Sequence, residues 1–151
     1  LVVYNLEAGQ AVLTDNNDIR IYTDGKEKFH ALIEEMKRAK KYIHVQYYII
    51  RNDEVWQDIE KVLIEKAHEG VEVRVLFDSM GCRTMHKRDW DRLKCEGIRV
   101  AEFFPAILGQ LQMRVNYRNH RKIVVIDGKV GFVGGFNVGR EYIGKDEKFG
   151  Y

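Results

Sequence analysis

Two residues have the types and spacing for chemistry on phosphate: His120 and Lys122. They stand two apart at the entrance of a β-branched run, residues 122–127, that reads as a buried strand, so extended backbone points both to one face. A histidine is a nucleophile or proton carrier near neutral pH. A lysine beside it is a fixed positive charge for oxygens that grow more negative in a transition state. Arg114, Arg118 and Arg121 crowd around His120 where a phosphate needs cations, although Arg114 taken alone reads as part of a solvated basic loop. Asp127-Gly128 is a two-residue hairpin signal and 130–133 the returning strand, followed by Gly134, Gly135 and Asn137. Asp-Gly at a hairpin needs no catalytic reason, so Asp127 carries a turn reading beside a site reading.

The whole frame is His-x-Lys, four residues, Asp, six residues, Gly-Gly-x-Asn. It resembles the HKD motif of the phospholipase D superfamily, matched at His120, Lys122, Asp127, Gly134 and Asn137, with Gly135 where that family often has Ser. The flanks carry the resemblance further. Residues 47–53 (Tyr-Tyr-Ile-Ile-Arg-Asn-Asp), 116–122 (Asn-Tyr-Arg-Asn-His-Arg-Lys) and 134–142 (Gly-Gly-Phe-Asn-Val-Gly-Arg-Glu-Tyr) are similar to stretches of bacterial cardiolipin synthases, and the similarity extends over most of residues 20–151. It is closest to the first of the two phospholipase-D-like domains of those enzymes.

That resemblance implies phosphatidyl transfer between two phosphatidylglycerol molecules, giving cardiolipin and glycerol through a phosphohistidine intermediate. One motif's histidine attacks phosphorus; the other motif's histidine protonates the leaving alkoxide and deprotonates the incoming hydroxyl. One half does not say which role is His120's. Lys122 and Asn137 would hold nonbridging oxygens, Gly135 and Arg118 would line the phosphate, and Asp127 would support the basic cluster. The resemblance implies no cofactor and no metal. Its partners are phosphatidylglycerol, an anionic membrane surface, and a second HKD domain of the same chain or a homodimer partner; nucleic acid is not expected. It places the enzyme at the bacterial cell membrane with the catalytic domain on the cytoplasmic face, this stretch itself being soluble or peripheral. A single motif, no membrane helix and a start at Leu1 read as a fragment of a longer two-domain membrane enzyme, whose activity needs the second half.

The chain's bulk properties fit one globular domain. It has 151 residues, 45% hydrophobic and 32% charged, so a real core is affordable in length. Net charge is 25 − 23 = +2, which marks no global field for nucleic acid. Cys82 and Cys95 are too few for a secreted disulfide framework and are expected to be free thiols of a cytosolic setting, with Cys95 partly buried on a helix. His30, His44, His68, His86 and His120 lack ligand-like spacing for a metal. Two rival readings belong to other classes: a single-motif homodimeric phosphodiesterase or nuclease of the superfamily, favoured by chain length, and a module that binds anionic headgroups without catalysis. The intact His120–Lys122 pair argues against the second, since binding alone needs no nucleophile.

The elements that must position the pair follow from periodicity. Short strands are expected at 2–4 and 19–22, around the turn cluster of residues 15–18. A helix at 26–41 carries the stripe Phe29, Leu32, Ile33 and Met36. A buried strand follows at 42–50, with His44 as a satisfied core histidine and Gln46 undecided between core and site. A second helix at 54–69 ends at Gly70, a strand spans 71–77, and the loop after it holds Asp78 and Ser79, weak evidence alone. A third helix spans 84–96 and a strand 98–104. The loop 105–119, with Ile107, Leu108, Leu111, Met113 and Val115, is expected to be buried lining or a lipid-facing rim. Alternating strands and helices predict an α/β fold: a mixed, largely parallel β-sheet flanked by helices.

Overall fold

In the computed structural model, which describes residues 2–9, 13–103, 118–146 and 148, the strand patterns close into one five-stranded sheet. The elements run α1 (Val2–Gly9), α2 (Gly25–Arg38), β1 (Tyr42–Tyr47), α3 (Glu54–His68), β2 (Glu72–Asp78), α4 (Lys87–Cys95), β3 (Arg99–Phe103), β4 (Ile123–Ile126) and β5 (Val130–Val133), then a 3₁₀ turn at Arg140–Ile143. The sheet order is β3-β2-β1-β4-β5. The βαβ crossovers make β1, β2 and β3 parallel, while β4 and β5 run antiparallel. This is the mixed, largely parallel sheet that the alternation of elements predicts.

One face of the sheet carries the core. Ile43, Val45 and Tyr47 of β1, Val73, Val75 and Phe77 of β2, and Val124 and Ile126 of β4 are buried with Leu32 and Met36 of α2, Trp56, Ile59 and Leu63 of α3, and Trp90 and Leu93 of α4. Phe77 stacks on Trp90 with centroids 3.9 Å apart, which fixes α4 over the end of β2. The helix starts follow local chemistry. Asp24 accepts from the Glu27 N–H, Asp53 from Val55 and Trp56, and the His86 N–H donates to Asp89 at the start of α4. That last cap explains why α4 begins at Lys87 rather than 84. Gly70 and Gly97 sit at φ 89° and 84° just past α3 and α4, the left-handed exit that a side chain disfavours.

The β4–β5 hairpin forms as the Asp-Gly pair predicts. Asp127 and Gly128 both have positive φ (55° and 67°), and the Lys129 N–H donates to the Ile126 carbonyl at 3.0 Å.

Several expectations are corrected. Residues 2–4 belong to helix α1, and 19–22 form no strand. Val2, Val3, Tyr4, Ile19 and Ile21 have strand-forming side chains but find no ladder partner, and at 2–9 a helix satisfies its own backbone groups instead. His44 is not a core histidine. It lies on the opposite face of the sheet, stacked on Tyr42 (4.5 Å) and 3.2 Å from the Glu72 carboxylate, because alternation along β1 gives the core face to Ile43 and Val45. Gln46 shares His44's face by the same alternation. Cys95 is exposed and Cys82 buried, both as free thiols. The loop expected at 105–119 falls outside the described residues except for Arg118 and Asn119. No helix among the described residues is long and apolar enough to cross a membrane.

Candidate active site

Three short segments converge past the carboxyl end of β1. The first is the continuation of β1 itself. Its ladder with β2 stops at Tyr47 and the chain bends at Tyr48, after which residues 49–51 take new partners: Ile50 bridges Val138, the Arg51 N–H donates to the Val138 carbonyl (2.9 Å), and the Val138 N–H donates to Ile49 (3.1 Å). Cys82 Sγ accepts from the Ile50 N–H at 3.2 Å, and burial pushes its thiol pKa up to about 12, so it serves as an inert packing group.

The second segment is the stretch after β5. Asn137 is buried at 4% exposure, its Oδ1 accepting from the Ile49 N–H (3.2 Å) and its Nδ2 donating to the Tyr142 hydroxyl (2.7 Å). These bonds fix the amide at the edge of the cluster. Asp53 and Arg51 tie down the chain that follows: the Arg140 N–H donates to Asp53 (2.8 Å), and Arg51 pairs with Glu141 (3.0 Å).

The third is the approach to β4. Lys122 and Val124 alternate onto the core face, and Lys122 is buried while His120 is exposed. The Lys122 ammonium donates to the His120 carbonyl (2.8 Å) and lies 2.9 Å from Nδ1 and 3.2 Å from Nε2 of the same ring. With both ring nitrogens at similar distance, the ammonium lies against the imidazole ring, and its directed hydrogen bond is the one to the His120 carbonyl. Tyr48 completes the cluster: its ring packs 4.5 Å from the His120 ring, and Lys122 Nζ stands 5.4 Å from its centroid. Burial pulls the Lys122 pKa below the ordinary lysine value, and no carboxylate among the described residues pairs with it. An exposed imidazole beside a buried ammonium with no carboxylate partner among the described residues sets a group able to act as nucleophile next to a positive charge.

The structure puts His120 and Lys122 in contact, and Asn137 is bonded to the Ile49 N–H, one residue along the chain from the Tyr48 ring that packs on His120. It treats the other three expected residues differently. Arg118 turns to the buried Asp78, with its guanidinium 3.9 Å from Oδ1. Gly135 is exposed, makes no close contact, and has ordinary φ. A Cβ added there meets nothing within 4 Å. Gly135→Ser is accordingly expected to shift stability by less than about 0.5 kcal/mol in a urea melt; a loss beyond about 1 kcal/mol would contradict this placement.

Asp127 does not join the cluster; it lies at the far end of β4 from His120. One carboxylate oxygen accepts from the Lys41 and Tyr42 N–H groups (2.8 and 2.9 Å) and the other from Lys40 (2.8 Å). The catalytic support expected of it is replaced by a brace on the corner between α2 and β1. These backbone hydrogen bonds hold its pKa below the ordinary carboxylate value. A lowered carboxylate pKa stabilises the fold above the ordinary value of 3.8 and loses that contribution as pH falls through the folded one. Asp127→Ala is expected to lower the unfolding midpoint at neutral pH, with the deficit shrinking in acid, and to leave turnover per folded molecule unchanged. Circular-dichroism melts at pH 7 and pH 3 beside an activity assay check both halves.

Asp78 is the positioning residue that sequence reasoning undervalued. It is 1% exposed; Oδ1 accepts from the Met80 N–H (2.9 Å) and Oδ2 from the Asn119 N–H (3.2 Å). The residue next to His120 is thereby bonded to the end of β2, 41 positions away. Its place at a strand end was the only signal in the sequence.

A family described as "Cardiolipin synthase, PLD-like domain" matches residues 32–147. The whole chain is 51% identical to a cardiolipin synthase of Staphylococcus aureus (strain Mu50 / ATCC 700699) and 49% identical to one of Oceanobacillus iheyensis, covering 30% and 31% of those proteins. The chain thus spans about a third of the length of these curated relatives. Among solved structures, NucT from Helicobacter pylori matches with TM-score 0.60 at 16% identity, over 81% of this chain and 74% of that one. Nuc from Salmonella typhimurium, a phospholipase D family member, matches with TM-score 0.55 at 20% identity, over 78% and 68%. At these identities the two likenesses speak for the fold.

Proposed function

Because this chain belongs to the cardiolipin synthase PLD-like domain family, we propose that it is one catalytic half of a phosphatidyltransferase that joins two phosphatidylglycerol molecules into cardiolipin and releases glycerol. The observation that carries the reading is the exposed His120 ring in contact with a buried Lys122 ammonium that has no carboxylate partner among the described residues.

Two displacements at phosphorus account for the reaction. In the first, a histidine nitrogen lone pair forms an N–P bond, the P–O bond to the first headgroup glycerol breaks, and a second histidine gives that glycerol oxygen its proton. In the second, that histidine removes a proton from a hydroxyl of the second phosphatidylglycerol, whose oxygen attacks phosphorus and breaks the N–P bond. His120 fills one of these two roles, and the second histidine comes from another HKD half. Lys122 and the Asn137 amide face the nonbridging oxygens, where charge rises as the fifth bond to phosphorus forms. Arg118 with Asp78 sets the loop that carries His120, and Asp127 braces the opposite end of β4. The substrate is a membrane lipid, so the working enzyme is membrane-associated.

The test is product analysis with the full-length protein and phosphatidylglycerol vesicles. Cardiolipin and glycerol in equal amounts support transfer. Phosphatidic acid as the main product, or cleavage of DNA with no action on the lipid, would overturn it.

A further inference from the structure

A second buried ammonium lacks a carboxylate partner among the described residues. Lys28, in the first turns of α2, is 9% exposed and donates to the Tyr47 hydroxyl at 2.7 Å. Its Nζ lies 3.9 Å from the Phe29 ring centroid and 5.2 Å from that of Tyr47, and no carboxylate among the described residues pairs with it. The other buried charges differ. Glu60 pairs with Arg92, Lys66 with Glu69 and a helix carbonyl, and Asp78 with backbone N–H groups. Lys28 and Lys122 alone among these lack an acid or a backbone carbonyl from another element.

Their placement links them. The antiparallel register pairs Val45 with Val124 and Gln46 with Ile123, and one residue further along each chain stand Tyr47 and Lys122. Each is two residues beyond a buried member of the Val45–Val124 pair, so both side chains alternate onto the helix-covered face. From the other side, Gly25 lies three residues before Lys28 on the same face of α2. A Cβ at Gly25 would stand 1.6 Å from the Tyr142 carbonyl oxygen, so the start of α2 is pressed against the 3₁₀ turn whose Tyr142 hydroxyl holds Asn137. Lys28 therefore bonds a β1 residue that lies next to Lys122 in register, on a helix whose start packs against the turn that holds Asn137.

We propose that Lys28, steadied by the Tyr47 hydroxyl, is a second cationic group of the phosphate site, facing the anionic oxygens of a bound phosphodiester or phosphate from behind Lys122. It rests on the reading of the His120–Lys122 cluster as a phosphate site. An ammonium buried without an anion costs stability, and a bound phosphate is the missing counter-charge. Burial lowers its pKa to about 7, so only part of the population is charged at neutral pH, and a bound anion raises that share.

The experiment compares wild type, Lys28→Met and Tyr47→Phe in the full-length protein, reading affinity for inorganic phosphate by calorimetry, KM and kcat for phosphatidylglycerol, and the unfolding midpoint. Lys28→Met is expected to weaken phosphate binding at least about tenfold and to raise KM for the lipid in parallel, while the midpoint stays or rises. Tyr47→Phe, which keeps the packed ring, is expected to shift phosphate affinity the same way by a smaller factor. A purely structural lysine gives the opposite pattern, a lower midpoint with phosphate affinity intact, and that result overturns the proposal. So does a change in lipid KM with no change in phosphate affinity, which would place Lys28 at the headgroup glycerol. Should Lys28→Met fail to fold, unchanged phosphate affinity in Tyr47→Phe overturns it equally. A wild-type protein that binds phosphate through Lys28 yet makes no cardiolipin would sink the transferase reading and leave this one standing.

Discussion

Replacing His120 with alanine is expected to lower cardiolipin formation by the full-length protein by about 10⁴-fold or more, with the fold intact. The magnitude follows from what the imidazole does in either role. As nucleophile it makes the N–P bond, and as acid–base group it carries the proton of both displacements; removal of a group that acts within such a unit removes the route rather than slowing it. The stability half follows from exposure. His120 is on the surface, its side-chain contacts being the Tyr48 ring and Lys122, so little packing is lost and the urea midpoint should move by no more than about 1 kcal/mol. A rate assay on vesicles paired with a urea melt checks both. Activity within tenfold of wild type would remove His120 from the chemistry altogether.

The second large effect is at Lys122. Lys122→Met keeps a chain of similar shape in a buried position but removes the charge that the proposed mechanism sets against the nonbridging oxygens. Loss of one preorganised charge-stabilising group typically costs about 10²–10³-fold in kcat. The same change should not destabilise the protein. Burial lowers the Lys122 pKa because the charged form is desolvated without a carboxylate beside it, so below that folded pKa the ammonium costs stability that methionine does not. A variant as stable as wild type or more so, yet slower by two to three orders of magnitude, is the expected outcome of kinetics and thermal melts run together. Loss of stability with kcat preserved would instead make Lys122 a structural residue.

What the sequence made legible was local. The β-branched run after His120 and Lys122 folds as β4, and Lys122, just before it, reaches back to the residue two positions earlier. The apolar stripe of α2 and the Asp-Gly turn needed only neighbours a few residues away. What stayed illegible depended on distant partners. Asp127 looks like a motif acid in one dimension, but its oxygens are taken by N–H groups 85 to 87 positions earlier. Asp78 reads as one more strand-end residue until its bond to Asn119 shows that it sets the approach to His120. Residues 2–4 have strand-forming side chains, yet a strand exists only by pairing, and helix α1 forms there instead. His44 had the right neighbours for a core strand and the wrong parity.

The most direct test of the central claim, that His120 takes part in a covalent transfer at phosphorus, is the label retained by the protein during turnover. Full-length protein is mixed with phosphatidylglycerol labelled at phosphorus, quenched, and assayed for label that survives alkali and is released by acid, the behaviour of an N–P bond to histidine. Wild type should carry such label. In His120→Ala the label should vanish if His120 is the nucleophile, and form far more slowly than in wild type if His120 is the proton carrier of both displacements. Label and turnover in His120→Ala that match wild type would contradict the claim.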